Sequence, residues 1–108
     1  LLVQVLRAAA SSSHPALHAL FPGLPVAGYD GTLSGRYRTG PAAASAGMVR
    51  AKTGTLDGVS TLSGVVQDAD GRMLVFAFMA DRVPLGGTLD AEAGLDELAA
   101  ALGRCGCS

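Results

Sequence analysis

The sequence predicts an α+β chain in which a three-strand antiparallel meander carries flanking helices. Three observations lead there. β-suited runs follow one another at Met48 to Ala51 continuing into Lys52, at Val59 to Gln67, and at Met73 to Ala80. Asp68-Ala69-Asp70-Gly71 lies between the last two and supplies turn chemistry, with Gly71 able to take positive φ. Leu89 to Leu102 then places apolar residues at helical spacing. Strands that follow one another through short connections pair antiparallel, and a small sheet buries a face against helices.

The elements read in order as follows. Leu1 to Ala10 has apolar residues around Gln4 and Arg7 at helical spacing, the end of a helix. Ser11-Ser12-Ser13-His14-Pro15 breaks it and starts another, with proline suited to the first turn. Phe21-Pro22-Gly23-Leu24-Pro25 ends that short helix. Gly28 to Ala46 is glycine-rich, and Pro41 to Ala46 reads as a loop or one helical turn. The strand through Lys52 should pair with Val59 to Gln67, which pairs with Met73 to Ala80. The last run is apolar throughout and short enough to be a buried strand. Arg82 to Thr88, with Pro84, Gly86 and Gly87, is a connection. In the final helix Leu95, Leu98 and Leu102 align to cover a sheet face, with Asp96 and Glu97 outward. Asp90, Glu92 and Asp96 favour its N-terminal half through the helix dipole.

Composition bounds the function classes. A chain of 108 residues makes one small domain. A domain of that size buries about 65% of its unfolded surface. Hydrophobic residues are 49% and charged residues 16%, against about 25% charged in an ordinary domain. That is more apolar surface than a three-strand sheet covers, so one face or edge is expected to pack against sequence outside this chain. A net charge of −1 gives no electrostatic case for nucleic acid or a charged membrane surface. The longest apolar run, Met73 to Ala80, is far short of the ~20 residues of a membrane span. Leu1 to Leu6 lacks a basic flank and a cleavage site, so it is no signal peptide.

Lys52 is the only lysine; the other cationic side chains are arginines. It stands in Lys52-Thr53-Gly54, the third motif of active-site serine D,D-peptidases and β-lactamases. A compact ammonium does there what a planar guanidinium does not. Three residues alone arise easily by chance, so the flanks decide. Val49-Arg50-Ala51-Lys52-Thr53-Gly54-Thr55-Leu56-Asp57-Gly58-Val59-Ser60-Thr61-Leu62-Ser63-Gly64 closely resembles penicillin-binding proteins of the D-alanyl-D-alanine carboxypeptidase/endopeptidase family, as does Leu74 to Met79. Gly28-Tyr29-Asp30-Gly31-Thr32-Leu33 is similar to the glycine-threonine-leucine segment that the family carries before its K-T-G strand. The resemblance runs from Leu1 to about Leu102. It implies part of the serine β-lactamase/D,D-peptidase (transpeptidase-like) fold, with residues 1–108 the C-terminal part of a penicillin-binding domain.

The resemblance also implies what this chain lacks. The family nucleophile is the serine of S-x-x-K, and with Lys52 the only lysine that position is Val49. The second motif, S-x-N, needs an asparagine, and the chain has none. The chain therefore reads as a fragment or a processed piece, an expectation its first residue, Leu1, fits. By itself it is expected to be inactive; its expected partner is the remainder of the same domain. An extracytoplasmic location, in the periplasm or cell-wall space, follows from the resemblance alone.

Acyl transfer requires a nucleophile, a proton acceptor and donors aimed at the developing oxyanion. The resemblance gives Lys52 a catalytic part, its ammonium near the second-motif serine, and a share in holding the substrate carboxylate. Thr53 and Thr55 would hydrogen-bond that carboxylate or nearby backbone. Gly54, without a Cβ, would let a peptidoglycan stem peptide or a β-lactam lie against the strand as an added antiparallel strand. The amide of Thr55 would be one oxyanion donor. No cofactor is implied. Two other readings stand beside this one: a non-catalytic peptide- or partner-binding module using the Lys52 strand edge, and a β-lactamase fragment, which fits Leu56 to Gly64 less well.

Other constellations are weaker. His14 and His18 are four apart, but no H-E-x-x-H glutamate or third ligand accompanies them, so a surface or cap role is expected and no metal. No G-x-S-x-G elbow supports a Ser/His/Asp triad. Cys105 and Cys107 are too close for an easy mutual bridge. They read as a mobile pair or as partners for sequence elsewhere. Arg36, Arg38 and Arg50 are expected on a solvated surface rather than flanking a groove. Asp68 and Asp70 belong to a turn, since a calcium loop needs a later glutamate.

Overall fold

The computed structural model describes residues 1–106. Helix α1 spans Leu2–Ala10, a 3-10 turn spans Pro15–Ala19, and a single helical turn, α2, spans Leu20–Gly23. Two more 3-10 turns, Gly31–Leu33 and Pro41–Ser45, precede strands β1 (Val49–Leu56), β2 (Val59–Gln67) and β3 (Met73–Ala80). Helix α3 spans Thr88–Arg104. The sheet order is β1-β2-β3 with both pairs antiparallel, the expected meander. Val49 pairs with Val66 and Leu56 with Val59, so only Asp57 and Gly58 form the first connection. Gly58 supplies the positive φ, +72°, that so short a turn requires. In the second, one carboxylate oxygen of Asp68 accepts from the amides of Asp70 and Arg72 at 2.9 and 2.8 Å.

Side-chain alternation assigns the sheet faces. Val49, Ala51, Leu62, Val66 and Phe76 share one face and form the core with Leu95, Ala99 and Ala100 of α3. Thr53 and Thr55 follow Ala51 on that face. Arg50, Lys52 and Gly54 belong to the other face, with Val65, which is buried. Helix α1 lies against β2 and β3 and buries Leu6 and Ala9 outside the α3 core. Gly64, opposite Ala51, has no room for a side chain: a Cβ would overlap the Arg50 carbonyl oxygen and the Ala51 backbone.

The buried stripe of α3 differs from the expected one. Leu95 and Leu102 pack on the core, but Leu98 is exposed. Asp96, expected outward, is buried at 5% exposure. The stripe centres on Ala99 and Ala100, whose small side chains let the helix approach the sheet closely, and Asp96 lies on that side. The short helical segment that begins at Pro15 ends at Gly23, within Phe21 to Pro25 as expected, with Pro22 and Gly23 in its last turn, α2. The Cys105–Cys107 reading falls partly outside the described residues, since Cys107 is not among them.

Candidate active-site strand

Strand β1 is an edge strand, and its outer edge is only partly filled. Val26 bridges to Arg50; the Ala27 amide donates to the Val49 carbonyl at 2.9 Å, and the Ala51 amide donates to Pro25 at 3.0 Å. In an antiparallel ladder the backbone polar groups of alternate residues point to the same edge. Since Val49 and Ala51 point outward, Thr53 and Thr55 do so as well. Pro25 to Ala27 thus occupies the edge as far as Ala51. Beyond it, Thr53 and Thr55 present N–H and C=O groups with no backbone partner among the described residues.

The four predicted site residues lie together on this free half of the strand. Lys52 is exposed, and its Nζ donates to the Thr53 carbonyl at 2.9 Å. The Thr53 hydroxyl donates to the Thr32 hydroxyl at 3.0 Å. Thr55 is exposed. Gly54 faces Thr61 on β2, and a Cβ there would overlap the Thr61 hydroxyl. Glycine at this position is therefore favoured by packing on β2.

Thr32 is held from two sides. Asp30, just before its 3-10 turn, accepts the Val26 amide on its carboxylate at 2.6 Å. Leu33, the last residue of that turn, is fully buried in the core. The turn is thus fixed to the segment that fills the β1 edge. The sequence displays this threonine in Gly31-Thr32-Leu33, but nothing local says that it meets Thr53.

The arginines separate. Arg36, expected in solvent, is largely buried. Its Nε and Nη2 grip Asp96 at 2.9 and 2.6 Å, and its Nη1 and Nη2 reach the Glu92 carboxylate and carbonyl at 3.4 and 3.2 Å. Arg38 reaches backbone carbonyls of Ser34 and Gly28 from an exposed position, and Arg50 is exposed. Tyr37, between the first two, is buried with a φ of +60°. Burial, then the Asp96 charge beside it, pushes its phenol far above the ordinary range. His14 and His18 are exposed, with the His18 Nε2 donating to the Ser11 carbonyl at 2.9 Å. Among the described residues no group of three or more His, Cys, Asp or Glu could hold a metal, and no helix is long and apolar enough to cross a membrane.

Comparison with known proteins gives the family and the fold. A profile of the D-Ala-D-Ala carboxypeptidase 3 (S13) family matches residues 1–102. The chain belongs to that family. Carboxypeptidase DacB of Mycolicibacterium smegmatis is 46% identical over 106 residues, which are 96% of this chain and 22% of that protein. Carboxypeptidase Rv3627c of Mycobacterium tuberculosis is 40% identical, again over 22% of its length. The crystal structure of penicillin binding protein 4 from Haemophilus influenzae superposes with a TM-score of 0.76 at 30% identity. It covers 95% of this chain and 23% of that one. A second structure of that protein, complexed with a β-lactam, superposes with a TM-score of 0.67 at 31% identity. The fold is thus part of the D,D-peptidase fold, and this S13 chain spans about a fifth of its relatives' length.

Proposed function

We propose that this chain is the substrate-strand portion of a serine-type D-alanyl-D-alanine carboxypeptidase/endopeptidase that acts on peptidoglycan stem peptides in the extracytoplasmic space. The observation that carries the reading is the β1 edge, filled up to Ala51 and open at Thr53 and Thr55. An extended peptide adding antiparallel to β1 points its C-terminus toward Ala51. Its scissile carbonyl then meets the Thr55 amide, and its terminal carboxylate meets Thr53 and Lys52.

In this reading a serine outside the chain attacks the carbonyl of the penultimate D-alanine. The Thr55 amide supports the oxyanion, and Lys52 assists proton movement beside the second-motif serine. The terminal D-alanine leaves as an amine that takes up a proton. Water then hydrolyses the serine ester. A β-lactam enters as a mimic of the same terminus and stays as the acyl-enzyme. Gly54 keeps the strand surface low beneath either ligand.

A fluorescent penicillin tests the proposal. The complete protein containing this segment is expected to give a covalent band on denaturing electrophoresis. The segment alone is expected to give none, because no residue can be the S-x-x-K serine. A second reading, a peptide-binding module without catalysis, draws on the same open edge and the missing nucleophile. It requires that the complete protein also fail to acylate.

A further inference from the structure

We infer that Thr32 is a positioning residue for the reaction, setting the Thr53 hydroxyl at the carboxylate end of the β1 groove. The inference rests on the reading of β1 given above and adds a residue outside the K-T-G motif. Three observations converge on it. The Thr53 and Thr32 hydroxyls are 3.0 Å apart. Thr32 sits on a turn pinned by the Asp30–Val26 hydrogen bond and by buried Leu33. The same segment, through Pro25 to Ala27, closes the β1 edge where the groove begins.

The chemistry follows from the donor inventory of a hydroxyl, which has one proton to give and two lone pairs to receive. Without ligand, Thr53 gives its proton to Thr32. When a carboxylate arrives, the Thr53 proton turns to the anion, and the Thr32 hydroxyl can rotate to donate into the Thr53 oxygen. The pair becomes a chain, Thr32 to Thr53 to carboxylate, in which each bond polarises the next. Thr32 also holds the Thr53 rotamer before binding, so less ordering remains to be done when the substrate arrives. Thr32 is exposed, and an exposed hydroxyl pair adds little to folding, so stability does not account for its placement.

The test uses the complete peptidase with a labelled penicillin and a peptide ending in D-alanyl-D-alanine. Thr32→Val keeps the shape and removes the hydroxyl. It is expected to slow second-order acylation about two- to tenfold, the range for one neutral hydrogen bond. The loss should fall on KM for the peptide, with kcat and the melting temperature nearly unchanged. Thr32→Ser should restore the rate. In a Thr53→Val background, Thr32→Val should cost nothing more, since the hydroxyl it serves is gone. Wild-type acylation by Thr32→Val, or a loss that simply adds to that of Thr53→Val, overturns the inference. Lys52→Ala, run in parallel, separates the layers. If it too acylates normally, the reading of β1 itself fails; if it is impaired while Thr32→Val is normal, only the role of Thr32 fails.

Discussion

Arg36 carries its guanidinium into a space closed by Glu92 and Asp96 of α3, and both carboxylate oxygens of Asp96 accept from it. The pair ties the loop before β1 to the helix behind the sheet, sixty residues away in sequence. Removing Asp96 leaves the largely buried Arg36 with only its longer contacts to Glu92, so the cost approaches but stays below the ~3–5 kcal/mol of breaking a fully buried pair. Asp96→Ala is therefore expected to lower the urea midpoint far more than Glu97→Ala, since Glu97 is exposed. Equal shifts would show that Asp96 behaves as a surface residue. Tyr37 beside it offers a pH test. Its hydroxyl is buried beside the Asp96 carboxylate, with no partner at hydrogen-bond geometry among the described residues, and burial together with the Asp96 charge holds the folded-state phenol in its neutral form. An unfolded tyrosine ionises near pH ~10. Its contribution to stability is thus fully present below that pH and is lost as pH rises above it, because only the unfolded chain can release the proton. Tyr37→Phe should flatten the decline in stability above pH ~10 while leaving neutral-pH stability unchanged or slightly raised. A decline as steep as wild type in that variant would remove the account.

At the level of elements, the Lys52 strand depends on a glycine for a reason the motif does not state. A Cβ on Gly54 would overlap the Thr61 hydroxyl, and β-branched Thr61 has little rotamer freedom to yield. Gly54→Ala should cost about 1–3 kcal/mol of stability, partly recovered by adding Thr61→Ala. If urea unfolding shows the same loss with and without Thr61→Ala, the overlap is not the cause. The strands themselves were legible because each run is β-suited and each break carries Asp and Gly, which are local signals. The face of α3 was not. Leucines mark a helix face when volume decides the packing, but here Ala99 and Ala100 meet the sheet and Leu98 turns out. Glu92 and Asp96 are four residues apart, one turn, and beside the alanine face; that spacing was the available hint of a buried cationic partner. Which cation fills it depends on how the loop at Arg36 folds back, and no local pattern fixes that. The same holds for Thr32 and Thr53, twenty-one residues apart. That Lys52, Thr53, Gly54 and Thr55 lie together on one strand was readable because a strand keeps neighbours in sequence adjacent in space.

Across the whole molecule, α3 closes one face of the sheet, α1 covers part of the other, and the side of β1 bearing Lys52 stays open. Several large apolar side chains remain in solvent, among them Met73, Met79 and Leu85. The charge-poor composition led to that expectation, and the proposal places the rest of a penicillin-binding domain against such surfaces. In the proposed function Lys52 works on a substrate rather than on the fold. Among the described residues it makes one hydrogen bond, to the next residue's carbonyl, so its removal should leave circular dichroism and thermal melting unchanged. Acylation kinetics of Lys52→Ala in the complete peptidase are the decisive measurement. The rate is expected to fall about tenfold to over a hundredfold, the worth of a charge-assisted hydrogen bond lost at the transition state. Lys52→Arg should recover only part of it, and Thr53→Val should be milder. A folded Lys52→Ala protein that acylates at the wild-type rate would contradict the account, leaving the lone lysine a surface residue.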